Sequence, residues 1–167
     1  MKNDVLIYFD LITSLKTTRE VDDLSSEIDT IESKLLQPKK VSLKKALTSI
    51  SSNSAKRITE MFEKNNLDMT DKEQVSDFPE TLKNLIKKFK VIKLTLAFDP
   101  TGETIENIHE FVSENIGIGY ILDIEVDETV LGGAVIMFNG RYKDFTLRKS
   151  LEESFVNKKE EIRRLIQ

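Results

Sequence analysis

Near Lys90 the apolar residues of this chain stop recurring every third or fourth position and begin to recur every second one. Those two periods suit different elements, because a helix gathers residues three and four apart on one face while a strand alternates its side chains between two. One uniform architecture cannot satisfy both. The change predicts an α+β fold, an N-terminal helical bundle followed by a small β-α-β-β-α domain with an Asn-Gly hairpin. The boundary divides the chain into a helical bundle domain over 1-90 and an α/β domain with a C-terminal helix over 91-167.

In the first part the clearest segment carries Val21, Leu24, Ile28, Ile31 and Leu35 at intervals of three and four, with Pro38 just beyond. That spacing lays one apolar stripe along a helix, and Pro38 is suited to follow its end. The stripe is read first as bundle packing and second as a partner groove. Val5, Phe9 and Ile12 predict an earlier helix, and Leu43, Leu47, Ile50, Ile58 and Met61 predict one or two later ones. Ser51 to Ser54 either caps a second helix there or lies inside a longer one, since serine and asparagine compete for backbone hydrogen bonds. A polar connector is expected from Asn65 to Asp77. Pro79 would then stand in the first turn of a helix whose apolar face is Leu82, Leu85, Ile86 and Phe89.

The second part opens with "VIKLTLAF", which puts Ile92, Leu94, Leu96 and Phe98 on one face of a strand. An amphipathic helix follows, with Ile105, Ile108, Phe111 and Val112 on one side and Gly117 as its C-terminal stop. "YILDIEVD" then alternates Tyr120, Leu122, Ile124 and Val126 against Asp123 and Glu125, as a strand with one wet face would. Asn139-Gly140 lies between two short apolar runs and supplies the positive φ angles of a two-residue hairpin turn. Gly132-Gly133 marks a bulge, a sharp bend or a close approach of two backbones. A last helix carries Leu147, Leu151, Phe155, Ile162 and Leu165.

Chemistry-bearing patterns are scarce. The lone His109 has no partner His or Cys and is read as a surface histidine. Asp123, Glu125 and Asp127 fall on one side of a strand and are read as a solvated face rather than as ligands of a hard cation. Neither Gly117-Ile118-Gly119 nor Gly132-Gly133 completes a phosphate-binding pattern, and no serine is set in a nucleophile elbow. The 25 Lys+Arg against 29 Asp+Glu give a net charge of -4, which offers no basic footprint for nucleic acid. The absence of cysteine excludes disulfides and thiolate metal sites. No catalytic residue, cofactor, metal or small-molecule substrate is expected. Nor is a signal peptide or a membrane-spanning segment expected, because Asp4 and Asp10 interrupt the start and no run of about 18 apolar residues occurs.

The heptapeptide Asp127-Glu128-Thr129-Val130-Leu131-Gly132-Gly133 resembles the "D-P-S-L-I-G-G" signature of the delta subunit of F-type ATP synthases, whose mitochondrial relative is the oligomycin-sensitivity-conferring protein. In that family the glycines precede a strand, a small turn, a second strand and an Asp-Gly-Ser-like step into a helix. Asp144, Phe145, Thr146 and Leu151 occupy the corresponding places, with Asn139 and Gly140 at the turn. Phe145 stands where the family usually has glycine, and Glu128 where it commonly has proline.

The resemblance implies a stator part of the peripheral stalk, linking the catalytic head to the b-subunit stalk so that proton or sodium flow is coupled to ATP synthesis. It implies as partners the alpha subunits of the head, gripped by the helical domain, and the b subunit, met by the second domain. The place implied is the cytoplasmic face of the cell membrane, peripheral, with membrane contact only indirect. Two other readings stand beside it. One is an E-like peripheral-stalk subunit of a V-type ATPase, whose long N-terminal coiled coil fits poorly with Pro38, Pro79 and the polar connector. The other is a small βαββα nucleic-acid-binding protein, against which the acidic balance and sparse strand aromatics argue.

Overall fold

The computed structural model describes residues 6–37 and 41–166, with side chains through 156 and at 158. Five helices precede the sheet among the described residues: α1 Phe9–Thr13, α2 Thr18–Leu35, α3 Leu43–Leu47, α4 Ser52–Lys64 and α5 Lys72–Ile86. The sheet part then runs β1 Lys90–Leu96, α6 Gly102–Asn115, β2 Tyr120–Val126, β3 Ala134–Phe138, β4 Arg141–Asp144 and α7 Leu147–Ile166.

Three helices of the first part, α2, α4 and α5, start where a side chain satisfies free amides. Thr17 and Glu20 form a capping box at α2, each side chain bonded to the other's backbone N–H. Ser51 accepts from Ser54 N at 3.3 Å, so the Ser51 to Ser54 tetrad caps α4 rather than lying inside a longer helix. Asp71 accepts from Glu73 N at 2.9 Å and Gln74 N at 3.3 Å, and this cap starts α5 well before Pro79. The expected connector to Asp77 is therefore shorter, and Pro79 sits inside the helix instead of in its first turn. Its ring removes one amide bond to the carbonyl of residue 75. Buried among apolar neighbours, it is held by packing that outweighs the lost bond.

Along α2, Val21, Leu24, Ile28 and Ile31 are buried and Leu35 packs against the same cluster. Around α1 the buried residues are Tyr8, Leu11 and Leu15, with Ile12 packed against the same cluster, while Phe9 is 40% exposed, so of the expected Phe9 and Ile12 face only Ile12 turns inward. Val5 lies outside the described residues. The reason is Phe78, whose ring stacks 6.1 Å from Tyr8 and meets Phe62 edge-on at 5.4 Å. That aromatic trio draws the Tyr8 side of α1 inward.

The sheet has four strands in the order β2-β1-β3-β4. β1 runs parallel to β2, which requires the α6 crossover, and antiparallel to β3, which pairs antiparallel with β4. α6 covers one face, where Val112, Ile105 and Ile108 pack over Ile92, Leu94 and Leu122. Phe98 lies past the end of β1 and is 53% exposed, so it is not part of the strand face expected for it. Phe111 and Val126 are likewise exposed, because the cluster under α6 extends to Ile124 and no further along β2. The second face of β2 is not wholly wet: Ile121 is 4% exposed and belongs to the helical cluster. Between β3 and β4, Asn139 (φ 48) and Gly140 (φ 71) connect Phe138 to Arg141, its ladder partner.

Candidate functional site

The sequence singles out a corner and a stripe, and the structure treats them differently. At the corner, Asp127 N donates to Leu96 O at 2.9 Å, and Asp127 Oδ1 accepts from Thr129 N at 2.9 Å and Thr129 Oγ1 at 2.6 Å. Those two bonds hold the Asp127 carboxyl below its ordinary range. The chain then turns through Gly132 (φ 72) and Gly133 (φ 85), left-handed conformations that favour glycine. Gly133 O accepts from Ala97 N at 3.4 Å, and Gly132 O accepts from Leu147 N at 3.1 Å, so the pair touches both the end of β1 and the start of α7.

Space is as restrictive as φ at Gly133. A Cβ there would clash with the Phe145 carbonyl oxygen and lie 3.0 Å from Thr146 Cα. Thr146, 7% exposed, donates its N–H to Asp144 Oδ1 at 2.8 Å, and its Oγ1 accepts from Lys149 N at 3.4 Å in the first turn of α7. The Thr146 bonds hold Asp144 below its ordinary range. Phe145 has no positive φ, so the position needs no glycine here. Asp127, Gly132, Gly133, Asp144 and Thr146 thus share one corner, whereas Asn139 and Gly140 sit at the opposite end of β3.

Around that corner and along α7 the apolar side chains face solvent. Leu131, Phe145, Leu147, Leu151, Phe155 and Val156 are all exposed, Phe155 by 70%. The side chains of Ile162 and Leu165 lie outside the described residues. Leu147, Leu151 and Phe155 are four apart and form a row on one side of α7. Neither periodicity nor composition distinguishes such a row from a buried one; only the fold shows that, among the described residues, no layer lies over it.

The stripe Val21, Leu24, Ile28 and Ile31 is turned into the core, so an occupant of the helical part would have to meet other residues. A groove of about 250 Å³ runs between α1 and α4, with Ile7, Leu11 and Met61 among its apolar lining. It is flanked by the Asp10–Lys64 ion pair at 2.8 Å, which raises the Lys64 pKa through hydrogen bonding and charge. Its walls come from segments more than forty residues apart in the chain, which no local pattern links.

No catalytic arrangement emerges from these groups. His109 is half-buried rather than on the surface, its Nε2 lying 3.1 Å from Tyr120 O, where it joins α6 to β2. Asp123 faces Thr18 and Lys93. Among the described residues no group of three or more His, Asp and Glu side chains gathers as a metal site, and no helix is long and apolar enough to cross a membrane.

No curated protein matches the chain. A chain in the structure of Polytomella F-ATP synthase shares 25% identity with it, over 42% of this chain and 94% of that one, with a TM-score of 0.37. The family model for the ATP synthase delta (OSCP) subunit matches residues 13–155, through the helical part, the corner and the first turns of α7. With that match spanning most of its length, the chain belongs to the ATP synthase delta (OSCP) family, the peripheral-stalk subunits of F-type ATP synthases.

Proposed function

We propose that this chain ties the catalytic head of its synthase to the b-subunit stalk, so that the head is held against rotation while proton or sodium flow drives ATP synthesis. In this reading 1-90 and 91-167 are two working units. The helical unit receives N-terminal segments of the alpha subunits, with the α1–α4 groove as their seat. The second unit meets the end of the b subunit. The protein makes no bonds itself and sits peripherally at the cytoplasmic face of the cell membrane, reaching the membrane only through the complex.

The observation that carries the reading is the solvent-facing row Leu147, Leu151 and Phe155 beside the exposed Leu131 and Phe145. Each such side chain contributes about 1.5–3 kcal/mol when fully buried, so a partner covering several of them gains substantial affinity. An amphipathic helix laid along α7 would do so. The corner anchors the row, because Gly132 O and Thr146 Oγ1 hold the first turn of α7. The test is retention of soluble head complex and of the soluble part of the b subunit on the immobilised chain. Phe155→Asp is expected to lose the b subunit and keep the head; loss of neither, or no retention by the native chain, overturns the assignment.

A further inference from the structure

One face of the sheet lies under α6, and the other carries two rows of side chains that run across the strands. Glu125, Thr95, Val135 and Asp144 are successive cross-strand partners in the first row, and Asp123, Lys93, Met137 and Tyr142 in the second. Tyr142 is 60% exposed and Met137 47%, so among the described residues no layer lies over their half of this face. A shallow groove of about 500 Å³ follows the rows, with Thr95, Val135 and Met137 among its lining.

The two sides of the groove differ in chemistry. On β3 and β4, Val135, Met137 and Tyr142 make a continuous apolar strip, because Met137 and Tyr142 are direct cross-strand neighbours. On β2, Asp123 and the exposed Glu125 alternate onto the same side, and Asp127 just past the strand continues the alternation. Lys93 is the base beside them, 4.0 Å from Asp123, while Glu125 makes no ion pair among the described residues. At the far end, the charge of Asp144 is met by Arg148 and Lys149 of α7. The uncompensated acid therefore lies along β2.

We propose that this open face is a second docking surface, separate from the row on α7, and that it receives an amphipathic helix of another chain with a basic flank. Its apolar stripe covers Val135, Met137 and Tyr142, and its Lys or Arg side chains meet the β2 carboxylates. The dimensions agree. Alternate residues of a strand repeat about every 6.6 Å, and residues four apart on a helix about every 6 Å, so bases at that spacing stay in step with the acids. β2 and β3 lie two strand spacings apart, about 10 Å, which is close to the width of a helix. A face offers side chains and no free backbone groups, which favours a helix over an added strand. Exposed ion pairs contribute little each, so the apolar strip supplies affinity and the acids choose orientation and partner. The surface is read from the sheet alone and does not depend on which complex the chain joins.

The test titrates the full-length chain, labelled with 15N, with two designed helical peptides that share one apolar stripe and differ only in carrying Lys or Glu along its flank. The Lys peptide is expected to shift the amides of Thr95, Glu125, Val135, Met137 and Tyr142. At low salt it should bind at least about tenfold more tightly than the Glu peptide, and the gap should narrow as salt rises. Glu125→Lys should weaken the Lys peptide about three- to tenfold, and the double change Met137→Ser, Tyr142→Ser by at least about tenfold. Because Glu125 is exposed, its variant should keep the parental melting point, which separates lost docking from lost folding. Equal affinity for the two peptides, shifts confined to α7 or to the helical part, or no shift at millimolar peptide overturns the proposal. A failed pull-down of head or b subunit would undo the stator assignment and leave this surface standing.

Discussion

Two parts of one chain treat their apolar residues in opposite ways. The helical part buries Phe62, Phe78, Ile28, Ile31, Ile58 and Leu82 almost completely, around an aromatic trio. The sheet part fully buries Ile92, Leu94, Val112 and Leu122 in its cluster, and leaves Leu131, Met137, Phe145, Leu147, Leu151 and Phe155 facing water. A closed core makes a stable body. Exposed apolar rows of this kind mark interaction surfaces. On that contrast the first part is expected to carry most of the stability, and the proposed b-subunit contact to fall on the second.

The contrast can be broken most forcefully at Phe78. Phe78→Ala empties the meeting point of Tyr8 and Phe62 and is expected to lower unfolding free energy by about 3–5 kcal/mol, read by denaturant titration. A loss under about 1 kcal/mol would mean the helical core is not the source of stability. Gly133→Val comes next, at about 2–4 kcal/mol, because a β-branched residue meets both a positive φ and the Phe145–Thr146 backbone. Its far-UV spectrum and melting point should change before any partner is added, and parental stability in this variant would refute fold maintenance as the role of the pair.

A smaller effect is expected at Glu27, whose Oε1 accepts from Ser51 N at 2.9 Å and so ties α2 to the start of α4. Burial pushes its carboxyl up, but hydrogen bonds from Ser54 and Ser51 outweigh this and hold it below 4.5. A lowered folded pKa means the contribution is present above the unfolded value and is lost as pH falls from about 4.5 through the folded one. Glu27→Gln should flatten that acid limb in a melting-point series; an unchanged pH dependence would remove Glu27 from the account. The smallest effect on stability should be at Phe155. Phe155→Ser is expected to leave unfolding free energy within about 0.5 kcal/mol, and a loss above about 2 kcal/mol would show that the row is covered within the chain itself.

Much of this was legible before any coordinates. The α2 stripe follows from spacing alone, since residues three and four apart must share a face. Gly132 and Gly133 stood out because only a special backbone geometry explains adjacent glycines at a strand start. Other readings failed where a local pattern was overruled from a distance. Pro79 reads as a helix start, yet the Asp71 cap begins the helix earlier and core packing tolerates the ring. Ile121 falls on the polar side of an alternating strand, yet the helices cover that end of it. Phe98 continues the β1 pattern in sequence, yet the strand ends at Leu96.

By itself the sequence determined where helices and strands begin to differ and where the backbone must turn through positive φ. Those are local matters, settled by side-chain spacing and by bonds spanning a few residues. Tertiary structure alone decided that α2's stripe lies inside while α7's row lies outside, and that one face of the sheet stays open over Met137 and Tyr142. Burial is a property of what lies on the other side of a face, and residues such as Lys93 and Met137, far apart along the chain, become partners only when the whole fold brings them together.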